Sequence, residues 1–311
     1  MNWIFIALSA YLFLAITNLL DKFLVDRVLK NSKAYAFVVC IMGLVVLIIA
    51  PWFMKWPGLF WFAFNLFSGF LFAIALWTLY EALKRGEAAK TLVYIGGLTP
   101  VFSILLSIIL FNEVYTRNQW VGMSFLLIGV FIIALLPESR SFSSRLLHKL
   151  GLRNIHIRYA LRIATISALF YAFYFIASKY AYNNQPFVNA FLWNRLGAGL
   201  FVLIFLIRKK DRLAIYSVFH KSVPKKNKRL VVFNQLLGSS GFILQNYAIS
   251  LGPVAIVNAM QGFQYAFLLV LSSVFAFFLP HVFKEKSSRK IVFQKICAIL
   301  VIGIGLAFIA L

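Results

Sequence analysis

Apolar residues run along this chain in long unbroken blocks, mostly of about 18 to 23 residues, the length an α-helix needs to cross ~30 Å of hydrocarbon. Ten such blocks are legible, at 3–20, 34–51, 60–80, 91–111, 119–136, 160–178, 187–207, 230–249, 254–279 and 291–311. Short polar or basic runs separate them and leave almost no room for a soluble domain. The pattern predicts an all-α polytopic membrane protein of ten transmembrane helices. No basic residue precedes the first block and no small-residue cleavage site follows it, so it reads as a span rather than a removable signal peptide.

Composition agrees with the pattern: 62% of the residues are hydrophobic, more than a soluble chain of this length can hide. Charge then gives orientation. The net charge of +23 is concentrated in alternate connections. Those after spans 1, 3, 5, 7 and 9 hold 4, 3, 6, 9 and 5 Lys or Arg, counting Arg162 and Lys295 at the starts of the blocks that follow. Those after spans 2, 4, 6 and 8 hold 1, 1, 1 and 0. Basic residues collect in cytoplasmic loops, so both termini are expected outside a cell (plasma) membrane, and the lipid bilayer, not nucleic acid, is the expected partner of the basic surface.

The chain also repeats itself. Residues 82–97 align without gaps on 248–263, with Ala82, Gly86, Ala89 and Gly96 falling on Ala248, Gly252, Ala255 and Gly262. Lys22 and Lys179 occupy like places near the ends of spans 1 and 6, and Gly129 and Gly303 late in spans 5 and 10. Each half has five spans, an odd number, so the second half runs through the membrane upside down. The loop charges reverse between equivalent connections as that requires. The expected organisation is a first repeat at 1–136, a basic cytoplasmic linker at 137–159 and a second, inverted repeat at 160–311. The linker reads as a solvated tether, with a short basic surface helix over 144–152 as the other reading. The basic run 208–229 reads as a cytoplasmic loop first and a regulatory or lipid-binding element second.

Residues 80–135 resemble the EamA repeat of the drug/metabolite transporter superfamily. The resemblance rests on Ala82-Leu83 ahead of Gly86, the pair Ala88-Ala89, and Thr99-Pro100-Val101-Phe102. Glu113 after the span, and Trp120 with Gly122 and Gly129, complete it. It extends over two tandem repeats. The second copy departs from it, with Tyr265-Ala266 in place of Thr-Pro and Glu285 as the counterpart of the glutamate. The resemblance implies a secondary carrier, and an inverted repeat implies alternating access around a midplane site. The expected cargo is a small metabolite such as an amino acid or related organic solute. A lipid-linked or phosphorylated solute is the second reading, and a non-transporting membrane scaffold the third.

Polar side chains inside spans are expensive and mark either interhelical hydrogen bonds or a solute path. Asn258, Gln261, Tyr265 and Ser272 share one face of span 9. The resemblance places the fourth span of each repeat beside the central pathway, so Asn258, Gln261 and Tyr265 are expected to bind solute. Span 6 offers Ser167, Tyr171, Tyr174 and Ser178 on one face. Span 8 offers Asn234 and Gln245 on a stripe with Gly238 and Gly241, while Gln235 and Asn246 point elsewhere. Span 1 offers Tyr11, Asn18 and Lys22. Phe72, Trp77, Tyr171 and Tyr174 suit an aromatic or apolar group of the solute. Arg195 lies nine residues into span 7, roughly 13 Å along the axis, and is expected to meet an anionic group with Asn194 beside it, unless it snorkels. Gly96, Gly97, Pro100 and Gly262 weaken their helices and are expected to serve as bends, or to allow tight packing.

All eight carboxylates lie at span ends or in connections, so a buried Asp or Glu carrying protons is not expected. Glu81 and Glu87 fit ion pairs with Lys84, Arg85 or Lys90 better. HExxH, GxSxG and Walker lysine patterns are missing, and His148, His156, His220 and His281 fall in polar connections. An enzyme, a metal site, a cofactor and an ATP-driven pump are therefore not expected. Cys40 and Cys297 read as packing residues. Gly122 and Gly129 in span 5 and Gly303 and Gly305 in span 10 could support packing between the two protomers of a homodimer.

Overall fold

The computed structural model describes residues 2–28, 31–85, 88–134, 153–220, 225–278 and 289–310. Its described elements are helical. In chain order they are α1 (Asn2–Val28), α2 (Ser32–Gly43), α3 (Ala50–Phe53), α4 (Leu59–Arg85), α5 (Ala88–Phe111), α6 (Arg117–Ala134) and α7 (Arg153–Asn184). There follow α8 (Phe187–Leu203), α9 (Lys209–His220), α10 (Lys225–Leu251), α11 (Val254–Ala259), α12 (Gln261–Phe278) and α13 (Arg289–Ala310). Among the described residues, eight helices or helix runs are long and apolar enough to cross a membrane. Helices also lie over the other two apolar blocks, but α6 is shorter and α10 opens on the polar run KKNKR. Large apolar side chains such as Phe5, Ile109 and Phe131 stand outward-facing and bare, as lipid-facing positions do.

Local chemistry sets the ends. Asn31 caps α2, its Oδ1 accepting from the N–H groups of Lys33 and Ala34 at 3.0 and 3.2 Å. Thr116 and Gln119 form a reciprocal capping box at α6. Asn112, at φ 51°, ends α5 in the left-handed conformation that asparagine tolerates. Pro186 and Pro253 sit in extended backbone just before α8 and α11.

Two stretches outside the apolar blocks are helical. The basic run 208–229 is not a plain loop, because residues 209–220 form α9 and 225–229 open α10. In α9, Asp211 and Ile215 are buried, whereas Lys209, Lys210 and Arg212 are exposed. The pattern is amphipathic, and its charge masked it. Residues 153–159 of the expected linker are helical too, in the first turns of α7, which starts at Arg153. The surface helix considered for 144–152, together with Gly86, Glu87 and Glu285, lies outside the described residues.

The packing runs across the two halves. α4 lies along α7 and α8, α1 along α10 and α12, α5 along α7, and α6 along α13. Close approach explains the tightest of these seams. A Cβ on Gly69 would stand 2.0 Å from the Asn194 carbonyl oxygen, and one on Gly197 would stand 2.4 Å from that of Leu66. Only glycine lets α4 and α8 meet backbone to backbone there. Gly122 and Gly129 of α6 and Gly305 of α13 are used in the same way inside the chain, against Ile309, Ile302 and Leu126, while a Cβ on Gly303 would meet nothing.

Candidate functional site

Arg195 is the sharpest polar feature of the interior. It sits on α8, facing in, and only 7% of it is exposed. Its guanidinium carbon lies over four rings, Phe72 at 4.2 Å, Phe242 at 4.6 Å, Phe191 at 5.0 Å and Tyr174 at 5.9 Å from the centroids. These rings come from α4, α10, α8 and α7, so the cation stands where four helices converge. Snorkelling is not what the side chain does.

One hydrogen-bond chain leaves it. Arg195 Nη2 donates to the Tyr174 hydroxyl at 3.0 Å, which donates to Asn246 Oδ1 at 2.9 Å. Tyr182 donates to the same Oδ1 at 3.0 Å. The neighbouring Asn194 Nδ2 donates to Ser178 Oγ at 3.3 Å, and Ser178 pairs with Ser68 at 3.1 Å. Arg195 Nε and Asn194 Oδ1 are buried without a hydrogen-bond partner. Farther along α4, Asn65 Nδ2 donates to Oε1 of Gln185, just past α7, at 3.1 Å, and the other amide atom of each is also unpartnered. Among the described residues, no carboxylate forms an ion pair with Arg195.

That arrangement is electrostatically unfinished. Rings attract a cation by about 0.5–2 kcal/mol each, and a phenol hydroxyl adds a neutral acceptor. Neither supplies a negative charge, and a buried cation without one is strongly disfavoured. The site has an in-plane donor, Nε, in a region where no described residue supplies an anion. Its chemistry suits a carboxylate or another small anion.

The remaining expected site residues sort into other seams. Asn258 Nδ2 donates to Ser103 Oγ at 2.8 Å, and Tyr265 donates to the Leu92 carbonyl at 2.7 Å. Both tie the α11–α12 segment to α5. Gln261 is half-buried at the start of α12, just past an interruption at Met260. Gln245 Nε2 donates to the Tyr11 hydroxyl at 3.3 Å, and that hydroxyl donates to the Val257 carbonyl at 2.7 Å. Trp77 packs on Phe205 and under Lys33, away from Arg195, and Asn18 is half-buried on α1. Tyr171 lies beside Phe72 and Phe175, at the rim of the Arg195 cluster.

The helix-weakening residues have packing neighbours. α5 is continuous through Gly96, Gly97 and Pro100, although Pro100 has no N–H to give the Gly96 carbonyl. A Cβ on Gly96 would lie 2.0 Å from the Tyr265 hydroxyl, one on Gly97 3.4 Å from Val130, and one on Gly262 3.2 Å from Val130. Gly96 thus makes room for the phenol that reaches Leu92. Tyr265→Phe keeps the ring and removes the donor. It is expected to lower stability by about 0.5–1.5 kcal/mol, read as a fall in the thermal midpoint of the purified protein.

Of the carboxylates, Glu81 takes hydrogen bonds from Ser32 at 2.5 Å and Arg85 at 2.7 Å, a tie between α2 and α4. Glu113 accepts from the Tyr115 hydroxyl, and burial together with that carboxylate holds the phenol well above its usual pKa. The sequence reading does not single out Phe191, Phe242 or Tyr182, and it sends Asn246 away from the stripe of Gln245. Both amides are buried, on different sides of α10. Adjacent polar residues in an apolar span are the available signal, since they point about 100° apart and imply two protein-covered faces.

The family model for "EamA-like transporter family" matches residues 1–135 and 159–311. No match is found among curated proteins. Among solved structures 22 chains match. One, described only as "Crystal structure of protein", is 16% identical over 99% of this chain and 96% of its own, with a TM-score of 0.65. That similarity concerns the fold.

Proposed function

Because the chain belongs to the EamA-like transporter family, a family of membrane transporters in the drug/metabolite superfamily, we propose that it is a secondary carrier that holds a carboxylate-bearing solute on Arg195. The cargo is a small metabolite such as an amino acid or a related organic acid. The observation that carries the reading is the buried guanidinium with its unpartnered Nε and no described carboxylate paired to it. Asn194, Tyr174 and Tyr171 line the same centre. Asn258, Gln261, Tyr265, Gln245, Asn18 and Trp77 form the surrounding seams that move with it.

Transport runs by alternating access between two inverted five-span repeats, with both termini outside the plasma membrane. The reversal of loop charge supports this, and so does the packing. Exchanging the halves turns the α4–α7 seam into α10–α1, and the α5–α7 seam into α12–α1, and all four are extensive. The α4–α8 and α2–α4 seams have no comparably extensive counterparts at α10–α2 and α8–α10 among the described residues. One state of an inverted repeat carries that kind of inequality, and the opposite state reverses it.

The test compares metabolites retained and exported by cells expressing wild type or Arg195→Gln at matched membrane levels. A carboxylate whose distribution shifts with wild type and not with the variant is expected. An identical shift with both proteins would remove Arg195 from the site.

A further inference from the structure

A groove of about 490 Å³ lies on the outside of the helix bundle between α4 and α8. Leu66, Phe67 and Phe70 of α4 and Gly197 and Leu200 of α8, with Ile204 just past its end, line it. It runs beside the seam where Gly197 lets the α8 backbone meet that of α4 at Leu66, and the lining rings Phe70 and Phe201 pack on each other at 4.2 Å. Every lining residue is apolar, and the groove opens to the side, where a membrane span meets hydrocarbon.

The lining face of α8 leads to a cluster of charge. Gly197, Leu200 and Ile204, spaced three and four apart, follow one face of α8 into the 3-10 turn Ile204–Leu206, and Arg208 comes two residues after that turn. Arg208, Lys209, Lys210 and Arg212 are all exposed there. Asp211, the one acid among them, faces inward instead, only 9% exposed, with its Oδ2 2.7 Å from Lys33 Nζ. The ion pair fixes α9 against α2 and withdraws the negative charge, so the outward cluster is purely cationic. Among the described residues no carboxylate pairs with it.

We propose that this groove and cluster form a binding site for one anionic glycerophospholipid, with an acyl chain in the α4–α8 groove and its phosphate on Arg208, Lys209, Lys210 and Arg212. The dimensions agree. Gly197 to Leu203 covers roughly 9 Å of α8 and the 3-10 turn Ile204–Leu206 adds about 6 Å before Arg208, against about 15 Å for half of a ~30 Å hydrocarbon core. An unpaired basic cluster beside the membrane selects negative headgroups. The site is on the lipid-facing side of α8, opposite in role to Arg195, and stands or falls independently of the cargo.

The experiment is native mass spectrometry of the full chain in detergent with equimolar phosphatidylglycerol and phosphatidylcholine of identical acyl chains. Wild type is expected to retain one phosphatidylglycerol in preference by about tenfold. The quadruple variant Arg208→Gln, Lys209→Gln, Lys210→Gln, Arg212→Gln alters exposed side chains only, and five of the nine basic residues of 208–229 remain to orient the loop. It should bring the two lipids to parity. Leu200→Trp, which fills the groove, should reduce retention of both. Equal retention by wild type overturns the proposal, as does an undiminished preference in the quadruple variant, unchanged retention with Leu200→Trp, or a lipid-free dimer that Leu200→Trp dissociates.

Discussion

Gly69→Val is expected to abolish the accumulation of folded protein. The atoms its side chain would strike belong to backbone: the Asn194 carbonyl oxygen at 2.0 Å and the Ala198 nitrogen at 2.6 Å from the Cβ alone. A side chain in that position can rotate away, but a helix backbone cannot. Relief requires moving α8 off α4, and the reciprocal contact of Gly197 with Leu66 moves with it. Overpacking of a well-filled core by a methyl or two costs about 1–3 kcal/mol, and a collision with backbone exceeds that range. The control is Gly303→Ala. Nothing lies within 4 Å of its Cβ, and alanine is the better helix former by about 1 kcal/mol, so that variant should be as stable as wild type or more so. Monodisperse yield on size-exclusion chromatography and the thermal midpoint report both.

Arg195→Met separates transport from stability. An unpaired buried charge is a burden on the fold, and replacing such a charge with an apolar side chain of similar reach is often neutral or stabilising. Methionine is long enough to lie against Phe72 and Phe242, where the guanidinium now lies. The thermal midpoint should stay the same or rise. Transport should fall about 10- to 100-fold, the equivalent of losing a charge-assisted hydrogen bond worth about 1.5–3 kcal/mol to the solute. Arg195→Lys should not restore it, because lysine lacks the planar fork and the weak hydration that suit a cation held among rings. A purely structural arginine gives the opposite result: loss of both stability and transport with methionine, and partial rescue with lysine.

Much of the architecture was legible because the bilayer imposes a length that sequence displays directly. The apolar blocks carry helices, while the starts at Asn31, at Thr116 with Gln119, and after Pro186 and Pro253 come from the structure and not from the blocks. The depth of Arg195 can be counted along span 7, and the structure buries it. What sequence could not set was azimuth. A helical stripe groups Gln245 with the solute-facing residues and turns Asn246 away, yet it is Asn246 that receives Tyr174 and Tyr182. The rotation of α10 is decided by distant contacts, among them Gly241 against Ala10 and Phe13 of α1. The span 9 stripe illustrates the same limit. Its period tells that Asn258 and Tyr265 share a face, but not that Ser103 and the Leu92 carbonyl stand opposite them. Helix α9 escapes notice because its twelve residues open on KKDR, which reads as a solvated turn until Asp211 is seen to face Lys33.

The proposed role of Arg195 is to hold the carboxylate of a transported solute. Counterflow in vesicles reconstituted with the purified chain tests it most directly, using a panel of small carboxylic acids and amino acids, each paired with its uncharged amide. Accelerated exchange is expected for at least one carboxylate, none for its amide, and loss of that exchange with Arg195→Met. Equal exchange of acid and amide, or full exchange by the Arg195→Met protein, would contradict it.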